Sequence, residues 1–315
     1  MDFRTLIGKS SRDAYGEVLF ELASQDEDMV ALTADVGPSV RFDRFEKEFP
    51  DRFFDFGIAE QNLMGAAAGF ARESKKPYVS VYAIFAALRS IEQIRTDIAY
   101  PNLPVRIYVS HSGISLGEAG PTHHTIEDIS IMRSIPNMTV VVPADGLSTG
   151  KLVTQLNEHQ GPVYMRLSRV KEHTVYSEEK EFQYGKGHIV RDPEELTLIT
   201  CGASTGQALK AVDVLEERGI FVGLVDMPFI KPLDSELLQN VFSKSKKVIT
   251  IEEHSIVGGL GSAVAEEIAS SGSNIQLRRL GIPDEFTKAG PYEDLIRYYG
   301  LDSDGIEKTI KSFLS

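Results

Sequence analysis

Asp55-Phe-Gly-Ile-Ala-Glu-Gln-Asn-Leu-Met-Gly-Ala-Ala-Ala-Gly-Phe70 reads as the end of a strand, a turn and a helix made largely of small residues. Gly57 suits the tight turn. Gly65, Ala66, Ala67, Ala68 and Gly69 let the helix lie close against another backbone. The same stretch puts one acid, Glu60, at the helix start. A carboxylate there has two readings. It is stabilised by the helix dipole, or it shares a proton with the ring nitrogen of a bound heteroaromatic group.

The strand-to-helix rhythm continues on both sides. Met29–Thr33, Pro77–Tyr82, Val105–Val109, Met138–Val142 and Val163–Leu167 are short apolar runs expected as buried parallel strands. Between them, Tyr15, Val18, Leu19 and Leu22 recur at helical spacing, as do Leu88, Ile91, Ile94, Arg95 and Ile98. A polar stretch from Lys171 to Lys186 breaks the rhythm, which then restarts. Leu196–Thr200, Val222–Val225 and Lys247–Ile251 are expected strands, with helices near 205–218 and 259–270. The expected fold class is α/β with two doubly wound domains, residues 1–175 and 191–315, joined by a linker over 176–190.

Bulk properties narrow the function. The chain has 315 residues, enough for two domains of ordinary size. A net charge of −13 argues against nucleic acid or an anionic membrane as partner, since either needs a basic face. One cysteine, Cys201, rules out an internal disulfide framework and a cysteine-built zinc site, and it fits a reducing compartment. The first residues lack the basic-then-apolar pattern of a signal peptide, and no apolar run approaches the ~18 residues of a membrane span. A cytoplasmic protein is expected.

Further stretches carry candidate chemistry. His111-Ser-Gly-Ile-Ser-Leu-Gly-Glu-Ala-Gly-Pro-Thr-His-His124 follows an expected strand, so it falls where open α/β sheets place their sites. Histidines there can take and give protons near neutrality. Adjacent His123 and His124 are poorly placed to chelate one metal ion. Tyr82-Ala-Ile-Phe-Ala-Ala-Leu-Arg89 spaces Tyr82, Phe85 and Leu88 three apart, either as core packing or as a surface on which a flat ligand stacks. Arg166 and Arg169 end the last strand of the first domain, where a guanidinium can clamp a phosphate.

Taken together, these stretches resemble the carboxyl-terminal half of transketolase. The resemblance runs from about residue 10 to the end. It is carried by Ala34-Asp-Val-Gly-Pro-Ser39, Phe49-Pro-Asp-Arg-Phe53, Gly57-Ile-Ala-Glu-Gln61, Gly117-Glu-Ala-Gly-Pro-Thr-His123, Arg133-Ser-Ile-Pro-Asn137 and Pro143-Ala-Asp145. Glu252-Glu-His254 and Gly258-Gly-Leu-Gly261 extend it into the second domain. The resemblance implies a thiamine diphosphate pyrimidine-binding domain followed by a transketolase C-terminal domain, the latter without a catalytic role. By resemblance Glu60 is the carboxylate on the cofactor's aminopyrimidine, with Asp35, Tyr82 and Phe85 also on the cofactor. His111 and His123 are expected to line the substrate channel and move protons. Ser39 and Arg169 are expected at the terminal phosphate of the sugar.

The family's Gly-Asp-Gly segment, which holds the diphosphate through Mg²⁺, has no counterpart here, since Ala144-Asp-Gly146 lies in the wrong context. The resemblance therefore implies an N-terminal partner subunit that binds the diphosphate and Mg²⁺, in a heterotetramer that transfers a ketol unit between sugar phosphates. This chain itself is expected to hold no metal. Ala119 stands where many transketolases have Asp, leaving the donor open, and His124 is similar to the deoxyxylulose-phosphate synthase version of the loop. Two rivals remain. A 2-oxoacid dehydrogenase beta subunit shares Gly-Ile-Ala-Glu, but its Gly-x-x-His-Ser-Gln loop is missing. A non-catalytic paralogue is disfavoured by the presence of Glu60, His111, His123, Tyr82 and Phe85 together.

Overall fold

β1 (Met29–Thr33) shows how the layers form. The whole strand is buried, and side chains alternate along it, so Met29 and Ala31 enter one apolar cluster while Val30 and Leu32 enter another. A strand buried on both faces needs helices on both. In the computed structural model, which describes residues 2–314, the Ser11–Ala23 and Gly146–Leu156 helices supply Tyr15, Leu19, Leu147 and Leu152 to the first cluster. The Glu60–Arg72 helix supplies Leu63, Met64, Ala67 and Ala68 to the second.

The remaining strands of the first half are β2 (Phe53–Asp55), β3 (Lys76–Val79), β4 (Arg106–Val109), β5 (Thr139–Val141) and β6 (Val163–Arg166). Those of the second half are β7 (His188–Arg191), β8 (Leu196–Thr200), β9 (Gly223–Asp226), β10 (Phe229–Lys231), β11 (Lys247–Ser255) and β12 (Gln276–Ile282). They form a seven-stranded sheet, ordered β10-β5-β6-β4-β3-β1-β2, and a five-stranded sheet, ordered β12-β11-β8-β9-β7. Pairing is parallel except for β10 on β5 and β7 on β9, each at a sheet edge. The expected α/β class with two doubly wound sheets is what the chain adopts.

The sheets do not divide where the sequence rhythm does. β10 comes from the second half of the chain yet closes the first sheet, with Phe229 opposite Val141. Pro228 and Pro232 flank it, and proline is tolerated at an edge because no ladder donor is needed there. One apolar cluster runs on across the junction, joining Val140 and Val142 to Met227, Ile230, Leu238 and Leu260. The polar segment before β7 is fastened as well. Tyr176 and Phe182 are buried, the Tyr176 hydroxyl donates to Asp226 (2.6 Å), and the Val175 and Tyr176 N–H groups donate to Asp145 (2.8 and 3.1 Å).

Two local expectations change. The strand expected over 77–82 ends at Val79. Ser80 is buried, with its hydroxyl on the Tyr108 carbonyl (2.8 Å), and Tyr82 meets Ser110 only in an isolated bridge. The helix expected around 88–98 is one α-helical turn, Ile91–Gln93, between wider π-helical turns at Phe85–Arg89 and Ile94–Ala99. Such widened turns are rare and re-aim side chains. The turns after β1, β2, β4 and β6, and the Tyr82 segment beyond β3, gather at the carboxyl edge of the first sheet, where the candidate residues lie.

Candidate active site

The turn into the Glu60–Arg72 helix is held by Asp55 at the end of β2. Its carboxylate accepts the Gly57 N–H (2.9 Å) and, across from β2, the Asp35 N–H (2.9 Å). Gly57 has a φ of +63°, which glycine adopts without strain. Asp35, also left-handed at +60°, is exposed and reaches the cluster through its backbone. Glu60 follows as the first helical residue, only 3% exposed.

Arg89 Nη1 donates to both Glu60 oxygens, 3.0 Å each, and the guanidinium lies 4.3 Å from the centre of the Phe85 ring. Phe85 stacks on Tyr82 (6.1 Å, 20°) and meets His123 edge-on (5.5 Å, 74°). Tyr82 in turn packs on His111 (4.2 Å). Glu60, Tyr82, Phe85, His111 and His123 thus form one continuous group.

His111 is buried with a φ of +60°, and its Nδ1 pairs with the Ser110 hydroxyl (2.7 Å). Burial, and then the guanidinium groups of Arg12, Arg169 and Arg41, push its pKa down to about 3. The ring is therefore neutral at neutral pH. Arg12 also donates to the Ser39 carbonyl (3.2 Å). Arg12, Arg41 and Arg169 thus form a small cationic corner beside His111, which the Ser39 backbone joins through Arg12. Next to it, a cleft of about 630 Å³ opens between Gly117, Glu118, Ala119 and Arg169 on one side and Pro291 and Tyr292 on the other.

The structure separates the two strand-end arginines. Arg169 is exposed, whereas Arg166 is buried and committed to Asp128 (3.0 Å) and to the Thr125 and Glu253 carbonyls (2.8 Å each). Arg166 cannot clamp a ligand. The Gly258–Gly261 turn is likewise closed to nucleotides, because Glu252 already accepts the Leu260 and Gly261 N–H groups (2.7 and 2.8 Å). Among the described residues, no group of three or more His, Cys, Asp or Glu side chains could hold a metal ion. No described helix is long and apolar enough to cross a membrane.

Sequence reasoning missed Arg12, Arg41 and Arg89. Arg12 and Arg41 carry no motif, and only the fold brings them together. Arg89 had a signal, since it stands four residues after Phe85, the helical spacing for a cation over a ring.

The family model of the transketolase pyrimidine-binding domain matches residues 8–172, and that of the transketolase C-terminal domain matches residues 185–306. The chain belongs to the transketolase family. It is 46% identical to a protein named as a transketolase C-terminal section from Methanocaldococcus jannaschii, over 96% of this chain and 95% of that one. It is 39% identical to one of the subunits of the apulose-4-phosphate transketolase of Phocaeicola vulgatus, covering 96% and 97%. The 1-deoxy-D-xylulose-5-phosphate synthase of Chlorobium luteolum is 37% identical, and the chain spans only 48% of its length. Among solved structures, a split-gene transketolase, an inactive β4 tetramer, superposes with a TM-score of 0.87 at 40% identity over 97% of this chain and 98% of that one.

Enzymes of this family use thiamine diphosphate. The residues present suit one end of that molecule. The Arg89 guanidinium, flat and cationic, stacks on Phe85 and donates to Glu60 as a protonated aminopyrimidine would.

Proposed function

We propose that this chain is the C-terminal subunit of a split transketolase, transferring a two-carbon ketol unit from a ketose phosphate to an aldose phosphate. The observation that carries the reading is the buried Glu60 carboxylate, bonded to a flat cation that stacks on Phe85, beside the histidine loop. A cytoplasmic N-terminal subunit with a Gly-Asp-Gly segment would hold the diphosphate and Mg²⁺, in a heterotetramer.

When bound, thiamine diphosphate would supply a carbanion and an electron sink. The rest falls to side chains of this chain. Glu60 would hold a proton at a ring nitrogen. Tyr82 and Phe85 would flank the ring and keep water from it, with Asp35 also on the cofactor. His111, held neutral, accepts a hydrogen bond from a sugar hydroxyl and orients it, and His123 donates or accepts a proton at the next one. Arg12, Arg41, Arg169 and Ser39 receive the terminal phosphate.

A second reading keeps the cofactor and changes the donor. The adjacent histidines and the relatives named as deoxyxylulose-phosphate synthases support pyruvate as donor. One experiment separates the two. This chain is mixed with a Gly-Asp-Gly subunit, thiamine diphosphate and Mg²⁺, and given either a ketose phosphate or pyruvate together with an aldose phosphate. Ketol transfer by the mixture alone is expected, with Glu60→Gln at least about a hundredfold slower. Transfer by the single chain, or product only with pyruvate, overturns the proposal.

A further inference from the structure

The histidine loop is built by both halves of the molecule. Its neck is closed by the Gly113 N–H on the Thr125 carbonyl (3.1 Å) and the Thr125 N–H on the Gly113 carbonyl (2.8 Å). The residues beside that neck, Ile114 and Ile126, are buried in the apolar cluster of the second sheet with Leu198, Ile249 and Ile251. Glu253 of β11 accepts the Ile114 N–H through one oxygen (2.8 Å) and the Tyr292 hydroxyl through the other (2.8 Å). At the tip, a Cβ on Gly117 would lie 2.8 Å from the Gly290 carbonyl, and one on Gly120 would lie 3.0 Å from the Ala289 Cβ. The loop rests on segment 289–290 too closely for side chains.

His124 is the joint of this arrangement. A carbonyl can only accept, so His124 Nε2 donates to the Gly117 oxygen (2.9 Å). In the neutral ring Nδ1 then carries a lone pair, which accepts a hydrogen bond from the Thr287 hydroxyl (2.6 Å). Burial favours that neutral form. The ring therefore ties the loop tip to a buried threonine of the second half of the chain. Its neighbour His123 is partly exposed and turned to Phe85.

We propose that His124 and Thr287 are positioning residues, whose hydrogen-bonded chain to the Gly117 carbonyl fixes the backbone around His123 and aims its ring into the site. The inference rests on the reading of His123 as a proton-handling group. It gives the second domain a part in catalysis through orientation.

The test compares Thr287→Val, which keeps shape and loses the hydroxyl, with Thr287→Ser, which keeps the hydroxyl. On the isolated full chain, ring NMR resonances of the seven histidines are assigned and followed. Thr287→Val is expected to change the His124 nitrogen shifts and displace those of His123, and Thr287→Ser is expected to restore both. In the assembled enzyme, Thr287→Val should lower kcat about tenfold or more with thiamine diphosphate affinity unchanged, and serine should rescue it. Unmoved His123 resonances overturn the proposal, as does a wild-type kcat despite moved ones. A complex without ketol transfer would instead sink the functional reading, and the resonances would still decide the positioning.

Discussion

Arg89 occupies both oxygens of Glu60 from a single nitrogen, at 3.0 Å each, while its guanidinium rests on Phe85. A bound aminopyrimidine would need that same carboxylate and that same ring face. The two could not be there together, so on the proposed reading Arg89 would have to swing outward, and its half-exposed position allows this.

Arg89→Met separates the two roles of the pair. Without its partner the buried Glu60 carboxylate is left alone, costing on the order of 1 kcal/mol once the exposure of Arg89 is allowed for. The isolated variant is expected to unfold at a lower temperature. In the assembled enzyme it should bind thiamine diphosphate several-fold more tightly, because a competitor is gone. Calorimetric titration checks this, and weaker binding would mean that Arg89 stays on the cofactor.

The cationic corner around His111 predicts a split between substrates. Removing one charge-assisted phosphate contact costs about 1.5–3 kcal/mol. Arg12→Ala or Arg169→Ala should therefore raise KM for phosphorylated sugars about tenfold or more. For unphosphorylated analogues KM should change little. Equal losses on both substrate sets would remove the phosphate from this corner.

Glu172 predicts alkaline sensitivity. Its carboxyl accepts the Ser11 N–H (2.9 Å) and hydroxyl (2.5 Å), and burial pushes its pKa up to about 8 from 4.5. Between those values the folded chain holds a proton that the unfolded chain has released, so stability falls as pH rises through the window. Asp226, raised by burial to about 7, acts in the same direction. Glu172→Gln should lose less melting temperature than the wild type between pH 6 and about 8.5. An unchanged difference would show that the carboxyl is ionised throughout.

His111 works on the acid side. With its pKa depressed to about 3 from 6.5, the folded chain refuses a proton that the unfolded chain accepts. Stability is complete above 6.5 and drains as pH falls toward 3. His111→Gln should flatten that acid limb in melting curves taken with and without the substitution. A limb of unchanged steepness would place the acid sensitivity elsewhere.

Much of this was legible in the sequence, and for specific reasons. Met29–Thr33 and Leu196–Thr200 were read with their observed bounds because strands buried on both faces are mostly apolar and β-branched. Glu60, the Tyr82–Phe85 pair and the histidine loop were legible through the family resemblance they carry together, since spacing alone left a helix-dipole acid and core packing open. Phe229–Lys231 was not, since three residues between prolines take their meaning only from the distant strand they join. Residue pattern alone did not tell Arg166 from Arg169, although the family resemblance pointed to Arg169. Burial against Asp128 makes one of them part of the frame, and that contact is made across the fold. Arg12 and Arg41 matter only because helix and loop converge on His111, which no local pattern announces.

The antiparallel edge strand at Phe229–Lys231 bears on how the molecule can be taken apart. A fragment ending anywhere between residues 172 and 185 would carry β5 with a raw, unpaired edge and the apolar sides of Val140 and Val142 bare, a template for aggregation. Transplanting the first domain onto another enzyme would have to bring that short strand along. A protease that nicks the largely exposed Ser177–Glu181 stretch would release no free domain. It would leave a non-covalent pair, still sharing one sheet.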